Sequence, residues 1–180
     1  MSAEEDWVEI TPHDDRWFEL YRIEALRIEL VLGEYALGIE HFGSTAVPGL
    51  PAKPIVDILV GACEGSGPDA AINGLARLGY EYLGEDGRRP GRYFWRKRGA
   101  DAFNVSVVEY RGLLWQTNIE VRDFLRIHPE WATRYGFVKL SAVAKSRASM
   151  LGYQDQKREF LDSLRAAAAT WAREYRPDAR

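Results

Sequence analysis

The stretch Glu40-His41-Phe42-Gly43-Ser44-Thr45, followed by Lys53-Pro54-Ile55-Val56-Asp57-Ile58-Leu59-Val60, decides how the chain is read. It predicts a short strand, a Gly-Ser-Thr turn, a loop punctuated by Pro48, Pro51 and Pro54, and a second strand led in by Lys53-Pro54, since a residue before proline favours extended backbone. So dense a run of Ile, Val and Leu suits a strand buried on both faces, and Asp57 interrupts it. A buried, unpaired carboxylate costs several kcal/mol by the usual estimates (~3 or more), so Asp57 needs a partner. A cation or a substrate-bound metal is one candidate; backbone amides or Lys53 are the other. Gly43 brings backbone N–H groups close to an anion, Ser44 and Thr45 add hydroxyls, and Asp57 stands on the next strand, a combination that can assemble a site for phosphate and a divalent cation.

At this point the residues resemble a known family. The segment from Glu40 to Ile58 is similar to the signature of the GrpB family, itself a group resembling the DNA polymerase beta type nucleotidyltransferases. The likeness continues in Arg92-Tyr93-Phe94-Trp95-Arg96, in Val121-Arg122-Asp123-Phe124-Leu125-Arg126-Ile127-His128-Pro129, in Tyr135 and Lys139, and in Tyr153 with Lys157. The fold it implies is α/β (α+β): a small mixed β-sheet flanked by helices, with an α/β core over 1–112 and a helical lobe over 113–176. The function it implies is transfer of a nucleotidyl or phosphoryl group with Mg²⁺ to a small-molecule acceptor. The alternative is a non-catalytic nucleotide- or phosphate-binding module that has lost its pair of metal-binding carboxylates.

The site residues follow from both readings. Asp57 and Ser44 are the catalytic candidates, with Gly43, Thr45 and Lys53 beside them on the phosphates. Alternation along the next strands puts Arg92, Phe94 and Arg96 on one face, and Asn104, Ser106 and Val108 on another. Arginines aimed at a cleft suit bidentate phosphate recognition; on an edge they only protect it. The resemblance implies a basic wall from Arg122, Lys139 and Lys157, which taken singly read as surface charges.

The departures are as informative. Polymerase beta type transferases usually carry two carboxylates at alternate strand positions, and here Leu59 stands where the second belongs. Asn104 and Ser106 occupy positions where relatives often resemble histidines, which removes two acid/base groups. Glu109 is the candidate for the missing metal-binding carboxylate, although its parity places it with Phe103, Val105 and Val107; a bulge near Val108 is needed to bring it to Asp57.

Composition bounds the rest. The chain has 180 residues, 46% of them hydrophobic, which is one domain's length with a sizeable core. A formal charge of −3 gives no global attraction to polyanions, so long nucleic acid is disfavoured as a partner and any anion must be met by local Arg and Lys clusters. A single cysteine, Cys63, excludes an internal disulfide and a Cys-rich zinc site, and fits a cytoplasmic protein. No stretch approaches the roughly 20 apolar residues of a membrane helix. The oligomeric state is left open.

Helices are expected from Asp14 or Asp15 to Gly33, with Trp17, Phe18, Tyr21, Leu26, Ile28, Leu30 and Val31 as the apolar face, and from Asp69 to Leu78. A third is capped by Thr117 or Asn118, a fourth opens at Pro129, and Gly152 separates these from a last helix striped by Phe160, Leu164, Ala168 and Trp171. His13 is placed at the surface, with an extended piece over Trp7 to Ile10 before it and a frayed tail after Arg176.

Overall fold

The computed structural model describes residues 9–145 and 150–175. Trp7 and Val8 of the expected extended piece and the tail from Arg176 lie outside them, and Glu9 and Ile10 belong to no strand. Five strands form one mixed sheet: β1 (Gly38–Phe42), β2 (Ile55–Ala62), β3 (Glu81–Glu85), β4 (Tyr93–Lys97) and β5 (Ala102–Glu109). Their order is β1-β2-β5-β4-β3, antiparallel except for the central parallel pair β2–β5. Five α-helices are described: α1 (Arg16–Leu32), α2 (Asp69–Arg77), α3 (Leu113–Ile127), α4 (Pro129–Lys145) and α5 (Met150–Tyr175). The expected α/β architecture is what the chain adopts.

Alternation along β2 splits the core in two. Val56, Ile58 and Val60 face α1 and α2, where they pack with Trp17, Ile28, Leu75, Trp95, Phe103 and Val105. Leu59 faces the other way, into a cluster with Phe42, Val108 and Trp115 of α3. Asp57 shares that second face, at the end of the strand where the apolar cover stops. A third cluster joins Val47 and Leu50 of the proline loop to Phe124, Leu125, Tyr135, Leu164 and Ala168, so α3, α4 and α5 hold the loop from above.

Four expectations are corrected. Leu26 and Leu30 are 59% and 85% exposed, because the buried stripe of α1 runs through Trp17, Glu24, Ile28 and Leu32. Glu24 is buried by pairing with Lys97, Nζ to Oε1 2.7 Å. His13 is not at the surface: its ring packs edge-on against Trp17, at 5.2 Å, and against Phe18. α3 starts at Leu113, where burial of Trp115 draws the first turn onto the sheet, and Asn118 is interior, its amide donating to the Leu114 carbonyl. Gly152 lies inside α5 and separates nothing.

Among the described residues, no helix is long and apolar enough to cross a membrane.

Candidate functional site

The register of the sheet writes one row across all five strands: Phe42, Asp57, Asn104, Arg96 and Glu81 lie side by side. The row begins under the helices and ends in the open, with Asp57 at the boundary. The Asn104 amide donates to Asp57 Oδ1 at 2.8 Å, and Arg98 donates to Asn104 Oδ1 at 3.0 Å, which fixes the way the amide points. Burial pushes the Asp57 carboxyl above the usual carboxylate range; the Asn104 hydrogen bond, then Arg92, Lys53 and Arg98, oppose that.

Gly43 has φ 72°, a left-handed conformation, and packs against the Asp57 carboxylate. The chain then tightens into a short 3-10 turn over Ser44–Ala46, tied from α3 by Arg126 Nε donating to the Ala46 carbonyl at 2.9 Å. Ser44 faces the Tyr135 hydroxyl and opposes the upward push of burial on it, which sets the turn beside α4. Thr45 departs from its expected place on the phosphates. It is buried, and its Oγ1 meets His41 Nε2 at 3.0 Å, pinning a ring that stacks on Tyr21. Burial pushes that imidazole down to about 3, so it stays neutral.

Two lysines reach the site from the helices. Lys139 is 1% exposed; its Nζ donates to the Pro51 carbonyl and lies 4.6 Å from the Tyr135 ring centroid. Burial and then Lys157 push it down to about 7, against the pull of Asp57. Lys157 is pushed down to about 8, by burial and then Lys53, again against Asp57.

On the far side of Asp57, Arg92 Nη2 and Nε donate to Ser106 Oγ at 2.8 and 3.0 Å, and Nη1 to Asp86 at 3.2 Å. Burial and then Arg89 hold its guanidinium at about 10. Beyond it opens a cleft of about 630 Å³ lined by Lys53, Arg88, Arg89, Arg92, Arg96 and Arg98, with Glu85 and Asp86 as its acidic lining.

The structure thus gathers Gly43, Ser44, Lys53, Asp57, Arg92, Arg96, Asn104, Ser106, Lys139 and Lys157. It sets two others apart. Arg122 is a fastener: its guanidinium donates to Glu40 at 2.6 Å, to Asp123 at 2.7 Å and to the His41 carbonyl at 3.0 Å, locking α3 to β1. Glu109 pairs with Ala62 at the opposite end of β5, five residues from Asn104 and so roughly 16 Å along the strand, too far for a metal shared with Asp57. No bulge corrects its parity. Arg98 and Asp86 were not foreseen. Arg98 falls just past the end of β4, where alternation says nothing, and Asp86 sits in a polar turn that reads as solvated surface.

A profile described as GrpB protein matches residues 7–167. The chain belongs to the GrpB family. A glutamate-rich protein GrpB from Alkalihalophilus pseudofirmus is 31% identical over 160 residues, covering 86% of this chain and 92% of that one. The crystal structure of a conserved GrpB protein from Enterococcus faecalis superposes with a TM-score of 0.80 at 32% identity, over 89% of this chain and 96% of that one. A UPF0157 protein of Bacillus subtilis is 29% identical over 91% of this chain, yet the chain spans only 48% of its length. GrpB membership therefore covers the sheet, the site and most of the helical face.

Proposed function

We propose that this GrpB-family chain binds a nucleotide or another phosphorylated small molecule over Asp57, as a module without a protein-held pair of metal ions. One observation carries the reading. Lys53, Arg92, Arg98, Lys139 and Lys157, from separate parts of the chain, all act on one half-buried carboxylate. A partly desolvated carboxylate with several guanidinium and ammonium groups directed at it is a place where the oxygens of a phosphate can be met by charge-assisted hydrogen bonds. The cleft's volume lies within the range of small-molecule sites, about 300–1,000 Å³.

The residues do not fit a metal pair. Leu59 is sealed in an apolar cluster, Glu109 is remote, and among the described residues no three His, Cys, Asp or Glu side chains gather to hold an ion. The transferase reading keeps one specific support, Asp57 itself, which is held by Asn104 and could share a single Mg²⁺ with the oxygens of a bound phosphate.

A thermal-shift series with nucleoside triphosphates and sugar phosphates, each with and without Mg²⁺, tests the choice. Stabilisation in EDTA supports the binding module. Stabilisation that requires Mg²⁺ and vanishes in Asp57→Asn supports the transferase and overturns the metal-free reading.

A further inference from the structure

The arginine-lined cleft is walled on the Asp57 side by two arginines that are already engaged. Arg98 reaches Asn104 Oδ1 at 3.0 Å and the Phe103 carbonyl at 2.9 Å. Arg92 gives Nε and Nη2 to Ser106 and Nη1 to Asp86, which leaves a second N–H on each of its Nη atoms, toward the cleft that the residue lines.

The floor between the arginines is apolar. Alternation sets Phe94 beside Arg96 on the cleft face of β4, and Leu83 of β3, 43% exposed, lines the same cleft. The Arg92 guanidinium lies 5.3 Å from the centroid of the Phe94 ring. A phosphate gains nothing from an uncovered leucine and phenylalanine, whereas a flat aromatic group covers both and stacks on the ring.

The rim around that floor offers donors. Asp86 accepts from the Arg88 backbone N–H at 3.0 Å, from Arg89 Nε at 2.8 Å and from Arg92, and Glu85 accepts from the Gly91 N–H at 2.6 Å, so the carboxylates at the β3–β4 turn face their own chain. Arg96 is tethered through Nε to Glu81 Oε2 at 2.7 Å. Its Nη atoms make no hydrogen bond among the described residues and form a fork already oriented by the tether. A base edge with two adjacent acceptors matches that fork. Guanine carries one in O6 and N7, and adenine places an amine where O6 would be.

We propose that the ligand is a guanine nucleotide, its base laid on Phe94 and Leu83 with O6 and N7 on Arg96, and its phosphates met by the remaining N–H groups of Arg92 at the wall toward Asp57. The inference rests on the phosphate-binding reading above and narrows it to one base.

The experiment is calorimetric titration of the whole chain with GTP, ATP and inorganic tripolyphosphate in EDTA. The wild type is expected to bind GTP at least tenfold more tightly than ATP. Arg96→Lys keeps the charge and loses the fork, and should bring that ratio to about one with tripolyphosphate affinity unchanged. Arg96 pairs with a solvent-facing carboxylate, so this variant keeps the fold. Phe94→Ala should weaken GTP at least fivefold and leave tripolyphosphate as it was. Equal affinity for GTP and ATP in the wild type, a ratio unchanged by Arg96→Lys, or a Phe94→Ala loss that is absent or shared with tripolyphosphate overturns the guanine seat while phosphate binding stands. No binding of any of the three overturns both.

Discussion

Gly43 and Asp57 are packed so closely that a Cβ on Gly43 would lie 2.7 Å from Asp57 Oδ2. The turn that carries Ser44 and the strand that carries the carboxylate are therefore fitted to each other. Gly43→Ala meets two obstacles, the 72° φ and the carboxylate, and is expected to lose about 1–3 kcal/mol in chemical denaturation. Combining it with Asp57→Ala should recover the steric share and leave the backbone share. Strict additivity of the two changes would show that they do not touch.

Asp57→Asn is expected to stabilise the ligand-free protein. Burial disfavours the charged carboxylate, and the amide removes that charge at nearly the same volume. A gain of ~1 kcal/mol raises the melting temperature by about 2–4 °C in a chain of this length. A lower melting temperature at neutral pH would mean that the surrounding cations outweigh the burial.

The sheet was legible because its strands obey the period of two. Val56, Ile58 and Val60 against Asp57 and Leu59 could be assigned to faces from the sequence, and so could Arg96 against Trp95. The site was legible where it lies on those strands, at Asp57, Asn104 and Arg96. It was not legible where tertiary contact decides a side chain's work. Nothing local tells that Thr45 turns inward to His41 while Ser44 meets Tyr135, or that Arg122 is spent on Glu40 and the His41 carbonyl. Glu109 was misplaced for a different reason. A missing carboxylate invited a substitute, whereas the strand register allowed none.

Lys139 and Lys157 make stability depend on pH in an unusual direction. Both are held below the ordinary lysine value of 10.5, at about 7 and about 8, so between those values and 10.5 the unfolded chain binds more protons than the folded one. Their contribution to stability thus grows as pH rises through that window. In Lys139→Met part of this rise disappears. Denaturation midpoints at pH 6.5, 8 and 9.5 check it: the wild type should gain on the variant with each step, and parallel curves would refute the buried, neutralised amine.

The same lysines set the pH dependence of binding. An anion favours their protonated forms, so binding takes up protons near pH 8, and affinity falls as the pH rises above it. Titrations in buffers of different ionisation heat measure the uptake directly; heats independent of the buffer would remove both lysines from the ligand's surroundings.

Arg122→Ala is expected to cost about 2–4 kcal/mol, since the buried guanidinium ties Glu40, Asp123 and a backbone carbonyl together. Its effect should appear in urea denaturation. A variant of unchanged stability that loses phosphate affinity would return Arg122 to the site.

The account turns on the cations gathered around Asp57 meeting a phosphate. Titration of ATP in EDTA, into the wild type and Lys157→Met, tests that most directly. Saturable binding without metal, weakened at least tenfold by the substitution, is the expected result; no binding in EDTA, or equal binding by both proteins, would contradict it.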